Sequence, residues 1–105
     1  MLRLLATFMV MLAALPTYAQ QTTGTITGRV IDPQGMAVPD ATITAMNAAT
    51  GFVRVDITDS EGLYHLNAMP VATYDVVAEL PGFTRLERKD ISVDVSQTTN
   101  LNLTL

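Results

Sequence analysis

The chain has 105 residues, Lys plus Arg 6 against Asp plus Glu 10, a formal net charge of −4 and no cysteine. That length holds a single domain. The acidic balance excludes a phosphate-tracking nucleic-acid binder, since the one basic cluster, Arg85-Leu86-Glu87-Arg88-Lys89, is interrupted by Glu87. The missing thiols exclude a disulfide framework and a cysteine-linked lipid anchor, so stability has to come from core packing.

Met1 to Ala19 opens with Arg3, runs apolar from Leu4 to Leu15, passes Pro16 and ends in Thr17-Tyr18-Ala19. Small residues at the −3 and −1 positions complete a secretory signal peptide over residues 1–19, with cleavage expected after Ala19 or a residue or two beyond. A membrane anchor needs about 20 apolar residues and this run has roughly twelve. Without the leader, Arg3 is lost, all ten acidic residues stay and the net charge becomes −5. The expected product is exported to the periplasm, the outer-membrane surface or the medium, with no transmembrane segment in the mature chain.

Residues 20–24 are polar and predicted to be loose, with the domain spanning 25–105. Thr25 to Asp32 alternates as a first strand, Ile26 and Val30 sharing a face with Gly28 between them. Asp32-Pro33-Gln34-Gly35 is a turn, and Ala41 to Met46 a second strand with Ala41, Ile43 and Ala45 on one face. Asn47 to Gly51 forms a hairpin loop with Gly51 at positive φ. In the third strand, Phe52 to Thr58, apolarity places Val53, Val55 and Ile57 inward and Phe52, Arg54, Asp56 and Thr58 outward. After the turn at Asp59-Ser60-Glu61-Gly62, Leu63 to Ala68 turns Tyr64 and Leu66 inward, and Thr73 to Leu80 turns Tyr74, Val76, Ala78 and Leu80 inward. Pro81-Gly82-Phe83 leads to a weak sixth strand over Thr84 to Lys89. Ile91 to Val95 alternates again, and Asn100 to Leu105 closes the chain with three leucines on one side. Seven or eight short strands, turn signals every 8–12 residues and no helical period predict an all-β sandwich.

The turn spellings are specific. Gly28-Arg29-Val30 with Asp32-Pro33-Gln34-Gly35, then Val38-Pro39-Asp40-Ala41-Thr42-Ile43, resembles the start of carboxypeptidase regulatory-like domains. Thr50-Gly51, Thr58-Asp59-Ser60-Glu61-Gly62-Leu63-Tyr64, Ala68-Met69-Pro70, Thr73-Tyr74-Asp75-Val76 and Leu80-Pro81-Gly82-Phe83 follow in the family's order. The resemblance covers residues 24–105. It implies a seven-stranded transthyretin-like (prealbumin-like) sandwich, also grouped with carbohydrate-binding-like folds. It departs at Val71-Ala72, where such domains usually carry glycine before the Thr-Tyr pair. Members stand beside metallocarboxypeptidases and, directly after a signal peptide, at the front of TonB-dependent outer-membrane receptors. The order of segments here is similar to the latter.

Chemistry is sparse. His65 is the single histidine, so a two-histidine zinc site cannot be assembled. Transthyretin-related hydrolases end in a Tyr-Arg-Gly-Ser type motif, whereas this chain ends Asn102-Leu103-Thr104-Leu105. Asp56, Asp59 and Glu61 crowd one turn; they offer oxygen ligands to calcium, but turn bonds from Asp59 and Ser60, with Glu61 solvated, are the preferred explanation. Lys89, the single lysine, lies too late in the chain for the internal Lys–Asn bond of pilin modules. Phe52 is the aromatic left free to act as a sugar platform, and the Asn102-Leu103-Thr104 sequon falls inside a strand. No catalytic, cofactor or metal residue is assigned. The residues selected as ligand or partner contacts are Phe52, His65, Asp59 and Glu61. The expected role is a non-enzymatic structural or interaction module of the cell envelope whose partner is an envelope protein or a glycan. The alternatives are a carbohydrate-binding accessory module and a regulatory domain of a carboxypeptidase.

Overall fold

The structure, a computed structural model, describes residues 22–105. The predicted signal peptide lies outside them. Eight strands follow in order: β1 Thr23–Ile31, β2 Thr42–Met46, β3 Val53–Ile57, β4 Leu63–Pro70, β5 Ala72–Glu79, β6 Leu86–Val93, β7 Thr98–Asn100 and β8 Leu103–Thr104. They form two sheets, one ordered β4-β1-β7 with β8 also beside β1, the other β3-β2-β5-β6. No helix occurs among the described residues. The fold is the expected all-β sandwich, with eight strands where the resemblance implied seven.

Outside β3, inward alternation builds the core as read. Ile26, Val30, Tyr64, Leu66, Met69 and Leu103 meet Ile43, Ala45, Tyr74, Val76, Ala78 and Val93 between the sheets, all buried. β1 begins at Thr23, two residues earlier than its alternation suggests. Thr23 and Gly24 pair with Pro70 and Met69 of β4.

Two turns share one construction. Asp32 Oδ1 accepts the N–H groups of Gln34 and Met36, while Gly35 N–H reaches the Asp32 carbonyl. Asp59 Oδ1 likewise accepts the N–H groups of Glu61 and Leu63, and Gly62 N–H donates to the Asp59 carbonyl. In both, the aspartate satisfies donors that the reversing backbone cannot. Gly51 has the positive φ expected of it. Leu80-Pro81-Gly82-Phe83 is a type II turn, closed by Phe83 N–H to the Leu80 carbonyl, with φ +90° at Gly82. Neither Val71 nor Ala72 has positive φ, so the crossing from β4 to β5 needs no glycine there.

Three expectations are corrected. First, β3 is turned over. Val53, Val55 and Ile57 face solvent, and Phe52, Arg54, Asp56 and Thr58 face inward. The pairing dictates this: Val53, Val55 and Ile57 stand opposite Met46, Thr44 and Thr42, and opposed residues share a face. Second, the weak sixth strand and Ile91–Val95 are one bulged strand, β6. Lys89 and Asp90 together oppose Asp75, Asp90 takes φ 61°, and its N–H donates to Asp75 Oδ1.

Third, the closing strand breaks into β7 and β8, both parallel to β1. Tyr64 Oη donates to the Leu101 carbonyl and draws it off the ladder. Asn102 Oδ1 then accepts the Arg29 N–H at that point, 3.0 Å away. The sequon asparagine therefore serves as a backbone substitute.

Candidate functional site

Strand register lays out the outer face of the β3-β2-β5-β6 sheet in three rows. Ile57, Thr42 and Glu79 form one, Val55, Thr44, Val77 and Glu87 the next, and Val53, Met46 and Asp75 the third. The face grades from apolar on the edge strand β3 to charged along β5 and β6. Val55 and Ile57 keep 52% and 58% of their surface open, which is unusual for β-branched residues on a strand.

The type II turn at Pro81-Gly82 folds the 80–85 segment over one end of this face. It sets Phe83, 41% exposed, beside a hollow of about 410 Å³ that is also lined by Thr42, Glu79 and Arg85. Arg85 Nε stands 3.6 Å from Glu79 Oε1, and its Nη2 stands 3.9 Å from Glu87 Oε2. Those pairs are solvated and stabilise little, but they hold a guanidinium and a carboxylate at the hollow's rim.

The four residues selected from the sequence lie elsewhere. Phe52 is no platform: it packs edge-on against Tyr74, centroids 6.1 Å apart at 68°, and the Arg54 guanidinium covers its face at 5.2 Å. The reversal of β3 turns it inward. His65 is exposed on β4 as expected, its Nδ1 3.0 Å from Thr27 Oγ1. Asp59 spends its carboxylate on the turn, where the N–H groups of Leu63 and then Glu61 hold its pKa below the usual carboxylate value. Glu61 is exposed, and its carbonyl accepts from Arg29 Nε at 3.0 Å. The structure thus brings Asp59, Glu61 and His65 to one end of β4 and separates Phe52 from them.

Asp56 is likewise engaged, its Oδ2 accepting the His65 backbone N–H at 2.8 Å. Among the described residues no three His, Cys, Asp or Glu side chains gather as a metal site would need. Sequence reasoning missed Phe83, Glu79 and Arg85. The available signal was the Pro-Gly turn, which leaves the residue after it at the end of a sheet rather than inside one.

Several solved structures are similar. The Bacillus anthracis TIE protein matches at 20% identity and TM-score 0.68, over 79% of this chain and 16% of that one. A candidate carbohydrate-binding protein from Bacteroides uniformis matches at 26% identity and TM-score 0.62, over 76% of this chain and 40% of that one. A candidate carbohydrate-binding protein from Pseudomonas aeruginosa matches at 17% identity and TM-score 0.58, over 88% and 98%. The chain thus spans less than half the length of the first two. No curated protein matches it. The carboxypeptidase regulatory-like domain matches residues 25–105, the same stretch that folds into the sandwich, and the chain belongs to that family.

Proposed function

We propose that this chain is a non-catalytic interaction module of the cell envelope, exported by its amino-terminal leader and working through the outer face of the β3-β2-β5-β6 sheet. One observation carries the reading. The acidic side chains around β3 and β4 are committed to holding backbone, while that face presents open valine and isoleucine beside ordered charge. The resemblance to the front module of TonB-dependent receptors supports an outer-membrane setting. So does use of the similar fold as a part of longer chains. The test is intact mass of the protein in cell fractions. A species starting at Gln20, found in the periplasm, medium or outer membrane, is expected. A cytoplasmic species retaining residues 1–19 would refute the reading.

The hollow at Phe83 favours a second reading, glycan binding. An exposed aromatic ring flanked by a threonine hydroxyl, a carboxylate and a guanidinium offers stacking and hydrogen bonding to a sugar. The two candidate carbohydrate-binding relatives add support. A glycan array should show binding that Phe83→Ala abolishes and Phe52→Leu leaves intact. Loss with Phe52→Leu but not Phe83→Ala would reject the hollow.

A further inference from the structure

β3 ends one sheet, and its pairing with β2 fixes which backbone groups it leaves unused. Asn47 N–H to the Phe52 carbonyl and Thr58 N–H to the Ala41 carbonyl, both 2.9 Å, mark the hydrogen-bonded pairs at the two ends of the ladder. Such pairs alternate along an antiparallel ladder, so Arg54 and Asp56 also face β2. Val53, Val55 and Ile57 turn their N–H and C=O groups to the open edge. The neighbouring rim is treated differently. On β4 the His65 N–H is capped by Asp56 and the Ala68 carbonyl by Arg54 Nη2 at 3.2 Å.

Inward-pointing charges on an edge strand normally repel an incoming strand. Here they select one. A strand that presents an acid opposite Arg54 and a base opposite Asp56 meets them with complementary charge. Val53-Arg54-Val55-Asp56-Ile57 read backwards does this. Centred on Val55, an antiparallel second copy sets Val55 against Val55, Val53 against Ile57 and Arg54 against Asp56. Every opposed pair whose backbone faces the edge then meets a pair of the same kind.

We propose that this chain pairs with a second copy of itself through β3, joining two four-stranded sheets into one of eight across a two-fold axis at Val55. The outward stripe of Val53, Val55 and Ile57 becomes continuous with that of the second copy. The inference does not depend on the cellular role proposed above. An interface of two five-residue strands falls in the small, reversible class, so association depends on concentration.

Sedimentation equilibrium of the exported protein between about 1 µM and about 1 mM tests it. The mass should climb toward twice the monomer. Val55→Pro removes an N–H that β2 does not use, so it should stay monomeric with an unchanged circular dichroism spectrum. Arg54→Asp should weaken association at least tenfold, and Arg54→Asp with Asp56→Arg should restore it. The chain has no cysteine, so Val55→Cys gives a single thiol. On oxidation it should form a covalent dimer, whereas Val95→Cys on the opposite side should not. A monomer throughout the range, undiminished association in Val55→Pro, or cross-linking of Val55→Cys to a different polypeptide would each overturn the proposal.

Discussion

Asp56 of β3 accepts the backbone N–H of His65 in β4 at 2.8 Å, joining the rims of two sheets that share no ladder. Arg54, two residues away, does the same for the Ala68 carbonyl. Asp56→Ala frees the His65 amide and leaves a rim donor to water. It should cost about 1.5 kcal/mol in urea unfolding, the lower end of a charge-assisted bond because the site is partly solvated. Hydrogen exchange at the His65 amide should quicken, while that of Leu66 on the paired side of the strand stays slow.

Thr58 ties the loop before β2 to the end of β3. Its buried hydroxyl donates to the Val38 carbonyl at 2.7 Å and accepts the Ala41 N–H at 2.9 Å. Thr58→Val keeps the shape and removes both bonds, stranding two buried backbone groups. A loss of about 2–3 kcal/mol is expected, read from the urea midpoint at constant slope.

Gly28 lies where the closing segment crosses β1. A methyl group there would overlap the Leu101 carbonyl and stand 2.9 Å from Tyr64 Oη. Backbone cannot give way as a side chain can. Gly28→Ala should therefore cost about 3 kcal/mol, and protection should fall at the amides of Leu101 and Leu105, which bond to β1. Gly35→Ala, with open space around it, should be milder, its penalty coming only from φ +84°.

The pH limits of stability follow from three groups. Burial raises the Tyr64 phenol well above 10.0, so the folded state holds the proton more tightly than the unfolded chain. That contribution is complete below pH 10, the unfolded value, and is lost as pH rises toward the folded one. Tyr74, raised the same way, adds to the alkaline decline. Tyr64→Phe should flatten much of it while costing about 1 kcal/mol at neutral pH for the lost bond to Leu101. Asp59 works in the opposite sense. Its depressed pKa makes it stabilising above about pH 4 and lost as pH falls through the folded value. Asp59→Asn should remove that part of the acid limb in a pH series of melting curves.

Four strands, their inward residues and all the main turns could be read from local pattern, because alternation and turn chemistry are local facts. β3 could not be read by hydrophobicity alone: Val53, Val55 and Ile57 are the more apolar set, yet they point outward. The hairpin carried the answer. A loop closed by Asn47 and Phe52 pairs Met46 with Val53, and Met46 shares the polar face of Thr42 and Thr44. Register across the turn outweighs apolarity within the strand. The break between β7 and β8 was hidden for another reason: it depends on Tyr64, 37 residues away in sequence from Leu101, reaching a carbonyl that no local rule would free. The candidate site went astray with β3, since its reversal turns Phe52 inward.

The parallel course of β1 with β7 and β8 bears on how the domain carries load. Thr25 aligns with Thr98 near one end and Ile31 with Thr104 near the other, so the first and last described strands run side by side in one direction. Tension applied through the two ends would pull these strands lengthwise past each other. The hydrogen bonds along β1 would then be strained together rather than opened one by one. A module strung between a membrane-bound body and an external partner would resist extension through that arrangement, and its lifetime under force would be set by the rate at which this single row gives way.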